Sequence, residues 1–391
     1  MNNISELLEK YIYSKKYHGL EWIIQHNEKK YSGCLGSYNL KNNKLEQNSL
    51  YRIWSMTKPV ISIVILQLID EKKIKLNDTI NYFLPIFSNL KVLKKGARNI
   101  EETKNIIQYP TIENLLLHTA GFSYNFLGDI VAEEYHKVGL FYSDQNTLED
   151  EIKTLSKLPL LYEPGSRWVY SVSVDILARI IEVVENNSLQ NVLKKKIFEP
   201  LKMFNTSFCL NKEQKDKLVT SYHYDNLEKK LVLPDVNPRY ISNYGYPVNN
   251  KTFARGGIGL YSSAEDYLSF SNMLHTGFSQ EGEKIISLET LKKATQNRIP
   301  LSYLPFEIKN FDIYELEENV FDSYGWGYGF RVNMQNNKFN NYGEFGWGGA
   351  ASTYFFVDRN KRISAVLMTQ VFQGDINLQK DFYNHIYSQI V

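Results

Sequence analysis

Tyr51-Arg52-Ile53-Trp54-Ser55-Met56-Thr57-Lys58-Pro59-Val60 is the stretch on which the reading of this chain turns. Leu50 to Ile53 has the composition of a short strand, and the residues after Ser55 have helical periodicity. From Thr57 to about Glu71, apolar residues fall at Val60, Ile61, Val64, Ile65, Leu68 and Ile69. That pattern predicts a long helix buried on more than one side. Ser55 and Lys58 therefore stand where a strand gives way to a helix, on one face, with roughly 5–6 Å between their Cβ atoms.

A serine hydroxyl is a weak nucleophile until a base removes its proton. The field at a helix N-terminus favours an alkoxide, and a buried lysine of lowered pKa can move the proton. S-x-x-K by itself is a short pattern, and Ser88-Asn89-Leu90-Lys91 repeats it. The second copy comes after Pro85 and runs into Lys94-Lys95-Gly96, a polar loop, so it is read as chance. For Ser55 the competing role is a helix N-cap, which serine favours. The segment alone leaves both roles open.

Working outward, Ile4, Leu7, Leu8, Tyr11 and Ile12 space as a helix. Leu20–Gln25 reads as a strand, His26–Lys29 as a turn, and a second strand runs through Cys34 and Tyr38. Past the central helix, the clearest helices are Ile112–His118, Leu177–Glu185 and Gln190–Ile197. Strand signals return at Gly327–Met334, Asn341–Trp347, Ala351–Val357 and Ile363–Gln370, the last two joined by the turn-forming Asp358-Arg359-Asn360-Lys361. Leu378–Ile390 closes the chain as a helix. Strands at both ends with helices between them predict an α/β chain of the α+β type. Its antiparallel sheet is drawn from both termini and flanked by the terminal helices, with a mostly helical subdomain besides. The expected division is 1–54 with 254–391 for the sheet domain and 55–253 for the helical one, the active site lying between.

A chain of 391 residues, 43% hydrophobic and 23% charged, has the composition of an ordinary globular protein. With 45 basic and 43 acidic residues, the net charge of +2 offers no electrostatic reason for a nucleic-acid partner. Cys34 and Cys209 fit no C-x-x-C spacing and are read as two buried free thiols, with a single disulfide as the other option. No stretch approaches the roughly 20 apolar residues of a membrane span. The N-terminus has no signal-peptide core, so a cytoplasmic location is expected if the chain is complete.

The segment around Ser55 resembles the active-site segment of the serine β-lactamase and penicillin-binding superfamily, in the branch of class C β-lactamases, D-alanyl-D-alanine peptidases and family VIII carboxylesterases. Leu115–Phe122, Glu163–Ser171 and Gly256–Asp266 resemble further family segments in the same order, so the likeness spans roughly residues 15–375. It implies a β-lactamase/transpeptidase-like fold and no cofactor or metal. It also implies that a tyrosine of a Y-x-N motif works with the serine and lysine. Tyr170-Ser171-Val172 holds that position, with Val172 where Asn is expected. A literal Y-x-N at Tyr224-Asp225-Asn226 sits in a strand ending in a turn and is set aside. The phenol of Tyr170 is expected to ionise near neutral pH, far below its free value of about 10, under the influence of a lysine cation.

The family's K-T-G motif is altered too. Gly346-Trp347-Gly348-Gly349-Ala350 occupies its place, with Trp347 for Lys. His275-Thr276-Gly277 is closer in letters but ends a helix, where Gly277 is a C-cap. By the resemblance, the N–H groups of Ser55 and Ala350 form the oxyanion hole, and Trp347, Gly348, Gly349, Val172 and Trp54 shape the pocket. Packing is the alternative for Trp54, while His118 is read as a structural hydrogen-bonder with no chemistry and Arg255 as an ion-pair anchor. In the β-lactam-processing members the K-T-G lysine and the Y-x-N asparagine contact the substrate's carboxylate and amide. Their replacement by Trp347 and Val172 predicts a more apolar pocket, suited to a small uncharged ester. A carboxylesterase working through an acyl-enzyme on a small-molecule ester or amide is the expectation. A β-lactamase or D-alanyl-D-alanine peptidase is the alternative, and a non-catalytic ligand-binding relative the third reading. The absence of G-x-S-x-G removes the α/β-hydrolase fold.

Overall fold

In the computed structural model, which describes residues 3–41, 43–141, 146–233, 253–304, 308, 323–335, 341–375 and 377–390, two segments far apart in sequence build one sheet. The N-terminal part supplies β1 (Gly19–His26) and β2 (Lys29–Gly36). The C-terminal part supplies β3 (Tyr324–Trp326), β4 (Arg331–Asn333), β5 (Phe345–Gly349), β6 (Thr353–Asp358) and β7 (Ile363–Met368). Their order is β2-β1-β7-β6-β5-β4-β3, every neighbouring pair antiparallel. The expected strand over 327–334 is in fact a hairpin. Gly329 adopts φ +86° and Gly327 N–H donates to Phe330 O at 2.8 Å, so the chain turns back where alternation alone suggested a straight run.

Side-chain alternation explains why both faces of this sheet are covered. Leu20, Trp22 and Ile24 of β1, Phe356 of β6 and Leu367 of β7 point to one side. There they meet Ile4, Leu8 and Tyr11 of α1 (Ile4–Tyr13) and Leu378, Phe382 and Ile386 of the C-terminal helix Asn377–Ser388. Ile23, Phe355, Val366 and Met368 point the other way, into a second cluster. That cluster continues without a break through Val60, Ile61 and Val64 of α2 (Thr57–Asp70) to Ile176, Leu177 and Ile180 of α3 (Ser173–Glu185). The two regions of the chain thus share a core. Every residue of α2 from Thr57 to Leu68 is buried, as its all-round apolar pattern requires.

The junction leading to Ser55 is held from both edges. Tyr51–Arg52 pairs antiparallel with Tyr261–Ser262. On the other side the Gln370 side chain mimics a strand, Nε2 donating to Arg52 O at 2.9 Å and Oε1 accepting from Arg52 N–H at 3.2 Å. Among the described residues no helix is long and apolar enough to cross a membrane. Cys34 and Cys209 are free thiols, half-buried rather than buried.

Candidate active site

Ser55 lies in a tight 3-10 turn, Trp54–Met56, that runs directly into α2. Trp54 before it takes a left-handed φ of +49°, unusual for a bulky residue, and this sharp bend lifts Ser55 out of the strand direction. The hydroxyl caps nothing. Its partners are two side chains: Lys58 Nζ at 3.1 Å and the Tyr170 hydroxyl at 2.8 Å. The N-cap role left open by the sequence is therefore not the one Ser55 plays.

Tyr170 comes 115 residues later, at the end of the segment that leads into α3. His118 holds its backbone in place: Nδ1 accepts from Ser171 N–H at 3.2 Å and lies 3.1 Å from Ser171 Oγ. The His118 ring sits 4.9 Å from the Tyr170 ring. Burial, and then Lys58, drive the imidazole's pKa well down, so it stays neutral. Its place is structural hydrogen bonding behind the phenol. Trp347 of β5 donates its indole N–H to the Tyr170 oxygen at 3.3 Å. Tyr224, the rival tyrosine, belongs to the cluster on the far face of the sheet.

Lys58 is fully buried, and burial lowers its pKa to about 7, against the pull of the Asp175 carboxylate. The same burial raises Tyr170 above its ordinary value. This corrects the expectation of a phenol that ionises near neutrality. The group poised there is the amine, and the resting phenol keeps its proton, because taking either charge out of water favours the neutral form.

Two residues that the motifs did not single out complete the lysine's surroundings. Tyr124 places its hydroxyl 3.5 Å from Nζ and stacks on Tyr170 with centroids 5.5 Å apart. Asp175, fully buried on α3, accepts from Gly257 N–H at 2.9 Å, and Gly257 O in turn accepts from Lys58 Nζ at 2.8 Å. A Cβ at Gly257 would lie 2.6 Å from both Asp175 Oδ2 and the Tyr124 hydroxyl, so only glycine lets the backbone in this close. Burial raises Asp175 to about 6, opposed by the Gly257 N–H, Lys58 and Arg255. In sequence Asp175 reads as an ordinary first-turn acid and Tyr124 as a core aromatic. Arg255 makes the anticipated ion pair, with Glu151 at 3.1 Å, both side chains buried.

The remaining pocket residues divide. Trp347 and Gly349 share one face of β5, and a Cβ at Gly349 would come within 2.5 Å of Ile53 O and 3.2 Å of Trp54 Cβ. The end of β5 thus rests against the backbone entering Ser55, which is what an oxyanion hole between the Ser55 and Ala350 amides requires. Gly348 faces the other way, toward Tyr354 and Gln379, so only its backbone is available to the site. Val172 is buried beside the site and donates its N–H to Ser123 O at 3.2 Å. Trp54 is corrected to its packing role. Its ring meets Phe372 edge-on at 5.0 Å, in a small cluster with Leu50 and Tyr261, apart from the cluster that holds Tyr170 and Trp347. Pocket shape in this family reading also depends on loops such as 120–155 and 225–255, which lie partly outside the described residues.

Comparison with known proteins places the chain in a family and matches its fold. The beta-lactamase family model matches residues 4–386. Protein Rv1367c of Mycobacterium tuberculosis is 29% identical over 257 residues, 65% of this chain, and the chain spans only 61% of that relative's length. Esterase EstB of Burkholderia gladioli is 22% identical over 369 residues, covering 89% of this chain and 84% of EstB. Among solved structures, EstCE1, described as a hydrolase with promiscuous acyltransferase activity, superposes with a TM-score of 0.80 at 22% identity, covering 98% and 97% of the two chains. Simvastatin synthase LovD of Aspergillus terreus, in its LovD6 mutant form, gives 0.79 at 20% identity, covering 99% and 94%. At these identities the two structures speak for the fold.

Proposed function

The chain belongs to the beta-lactamase family, a serine hydrolase fold, and from that premise we propose that it hydrolyses small, uncharged carboxylic esters through an acyl-enzyme on Ser55. One observation carries the reading: the Ser55 hydroxyl has a buried amine at 3.1 Å and a buried phenol at 2.8 Å as its two partners. Ser55 attacks the ester carbonyl, Lys58 and Tyr170 handle its proton, and the Ser55 and Ala350 amides receive the oxyanion. Tyr170 protonates the leaving alcohol, and water then releases the acyl group.

The ester preference is supported by the site's lining. Around Tyr170 stand Tyr124, Trp168 and Trp347, and Trp347 occupies the place where a carboxylate-binding lysine serves the β-lactam-processing members. The indole of Trp347 brings no charge with which to receive an anion at that place. Esterase EstB among the relatives points the same way. The test is an acyl-chain-length series of p-nitrophenyl esters on wild type and Ser55→Ala. Loss of roughly a thousandfold or more is expected for the variant, since the nucleophile itself is gone. Equal rates would overturn the reading. Turnover of nitrocefin or a D-Ala-D-Ala peptide with little action on p-nitrophenyl butyrate would overturn the ester preference in favour of the β-lactamase or peptidase alternative.

A further inference from the structure

The hydrogen bonds around Ser55 have a direction, and Trp347 sets it. An indole N–H donates and never accepts. At 3.3 Å from the Tyr170 oxygen it takes up an acceptor position on the phenol. The phenol's own proton then has one acceptor in reach among the described residues, Ser55 Oγ at 2.8 Å. With Tyr170 donating to it, Ser55 Oγ has one partner left for its own proton, Lys58 Nζ at 3.1 Å. A neutral Lys58 amine fits this place. Its two N–H groups serve Gly257 O at 2.8 Å and the Tyr124 hydroxyl at 3.5 Å, which leaves the lone pair for Ser55.

We infer that Trp347 is a positioning residue that, by donating to the Tyr170 oxygen, makes Tyr170 the proton donor and Lys58 the sole proton acceptor of the acylation step. The inference rests on the ester-hydrolase reading above. The protons then balance with no separate return step. As the Ser55 Oγ–carbon bond forms, the serine proton passes to the Lys58 lone pair and the carbonyl becomes an oxyanion. Collapse breaks the bond from carbon to the alkoxy oxygen, which takes the Tyr170 proton and departs as the alcohol. The acyl-enzyme holds a Lys58 ammonium and a Tyr170 phenolate. The Trp347 N–H bonds the phenolate, and the ammonium lies 4.6 Å from its ring. Water then gives one proton to the phenolate as its oxygen adds to the acyl carbon. Ser55 Oγ leaves and takes back the proton Lys58 has kept.

The test uses two esters of one acid, p-nitrophenyl butyrate and ethyl butyrate. p-Nitrophenolate leaves without a proton and ethoxide does not, so a proton donor matters to the second alone, with general acid catalysis contributing about 10²–10⁴-fold. Tyr170→Phe is expected to lose about a hundredfold or more in kcat/KM on ethyl butyrate, and far less on the aryl ester. Trp347→3-benzothienylalanine, which swaps the N–H for sulfur in the same shape, is expected to lose roughly tenfold more on ethyl butyrate than on the aryl ester, the scale of one buried hydrogen bond. Trp347→Phe should show the same selectivity. A merely structural role for Trp347 would slow both esters alike. Equal losses on the two esters for Tyr170→Phe, or an unchanged ethyl butyrate rate in the benzothienyl variant, overturn the inference. Should Ser55→Ala keep wild-type turnover of the aryl ester, it is the hydrolase reading that falls instead.

Discussion

Replacing Asp175 by Asn should move the acid limb of the kcat/KM–pH profile to lower pH. Lys58 must be a neutral amine to take the Ser55 proton, so activity rises as pH climbs through its pKa of about 7. Two groups oppose each other in setting that value: burial disfavours the ammonium, and the Asp175 anion favours it. One glycine separates the two charges, with hydrogen bonds of 2.8 Å on the lysine side and 2.9 Å on the aspartate side. Allowing for the glycine, the separation is roughly 7 Å, and at an effective dielectric constant of about 20 the attraction is roughly 2 kcal/mol. Removing it lowers the Lys58 pKa by between about one and two units.

The other groups facing Lys58 stay in place: Tyr124, Tyr170 and the neutral His118. Arg255, which also acts on Asp175, keeps its own partner Glu151. Asn retains an acceptor for the Gly257 N–H, so the glycine loop keeps one of its anchors. The assay is initial-rate hydrolysis of a neutral ester by pH-stat from pH 5 to 9, which avoids the titration of a chromophore. A plateau rate reduced by imperfect packing does not bear on the argument. An acid limb that stays put or shifts to higher pH would show that Asp175 is not the lysine's electrostatic partner.

The neighbouring residues give sharp expectations as well. Glu151→Gln leaves the Arg255 guanidinium buried without its anion, and urea unfolding should report a loss of about 3–5 kcal/mol, largely recovered when both are changed to Met. Gly257→Ala drives a Cβ to 2.6 Å from Asp175 Oδ2 and the Tyr124 hydroxyl and displaces the carbonyl that receives Lys58. A fall in kcat of about a hundredfold, on the scale of a misplaced reacting group, is expected in steady-state kinetics. Gly349→Ala puts a Cβ 2.2 Å from Thr353 Oγ1 and 2.5 Å from Ile53 O, prising β5 from the nucleophile's backbone. It should lower kcat by about 10²–10³ with a smaller change in KM, as loss of an oxyanion donor does.

Much of this architecture was legible because periodicity and end-to-end strand signals respond to burial, a local property of the chain. The alternation in β1, β6 and β7 and the all-round apolar face of α2 are written residue by residue. The 327–330 turn was missed because a glycine in a strand-like run does not reveal the sign of its φ. Ser55 and Lys58 stand out in the sequence by their helical offset together with the family resemblance of the segments around them, and Tyr170 by its flanking motif, whereas no sequence spacing relates Asp175 to Lys58. Their coupling runs through the backbone of Gly257, which lies 82 residues beyond the aspartate. Tyr124 was invisible for a different reason: a buried tyrosine that stacks and one that also offers its oxygen to an amine have the same letter.

Trp347 carries the general point furthest. Read as a letter, Trp in place of Lys is the loss of a charge, and that alone implies a pocket that repels anions. In three dimensions the exchange has a second part. Lysine's ammonium and tryptophan's indole both present an N–H, and β5 aims this one at the phenol oxygen. The position therefore gives up its charge while keeping a donor. On the proposed reading, a pocket without the lysine's charge still holds Tyr170 with its proton toward Ser55, so an exchange that favours a neutral ester over an anion leaves the proton chemistry intact. Had the residue been Phe, the same apolar pocket would come with a phenol free to turn its oxygen toward Ser55, and Lys58 would lose its exclusive claim on the serine proton.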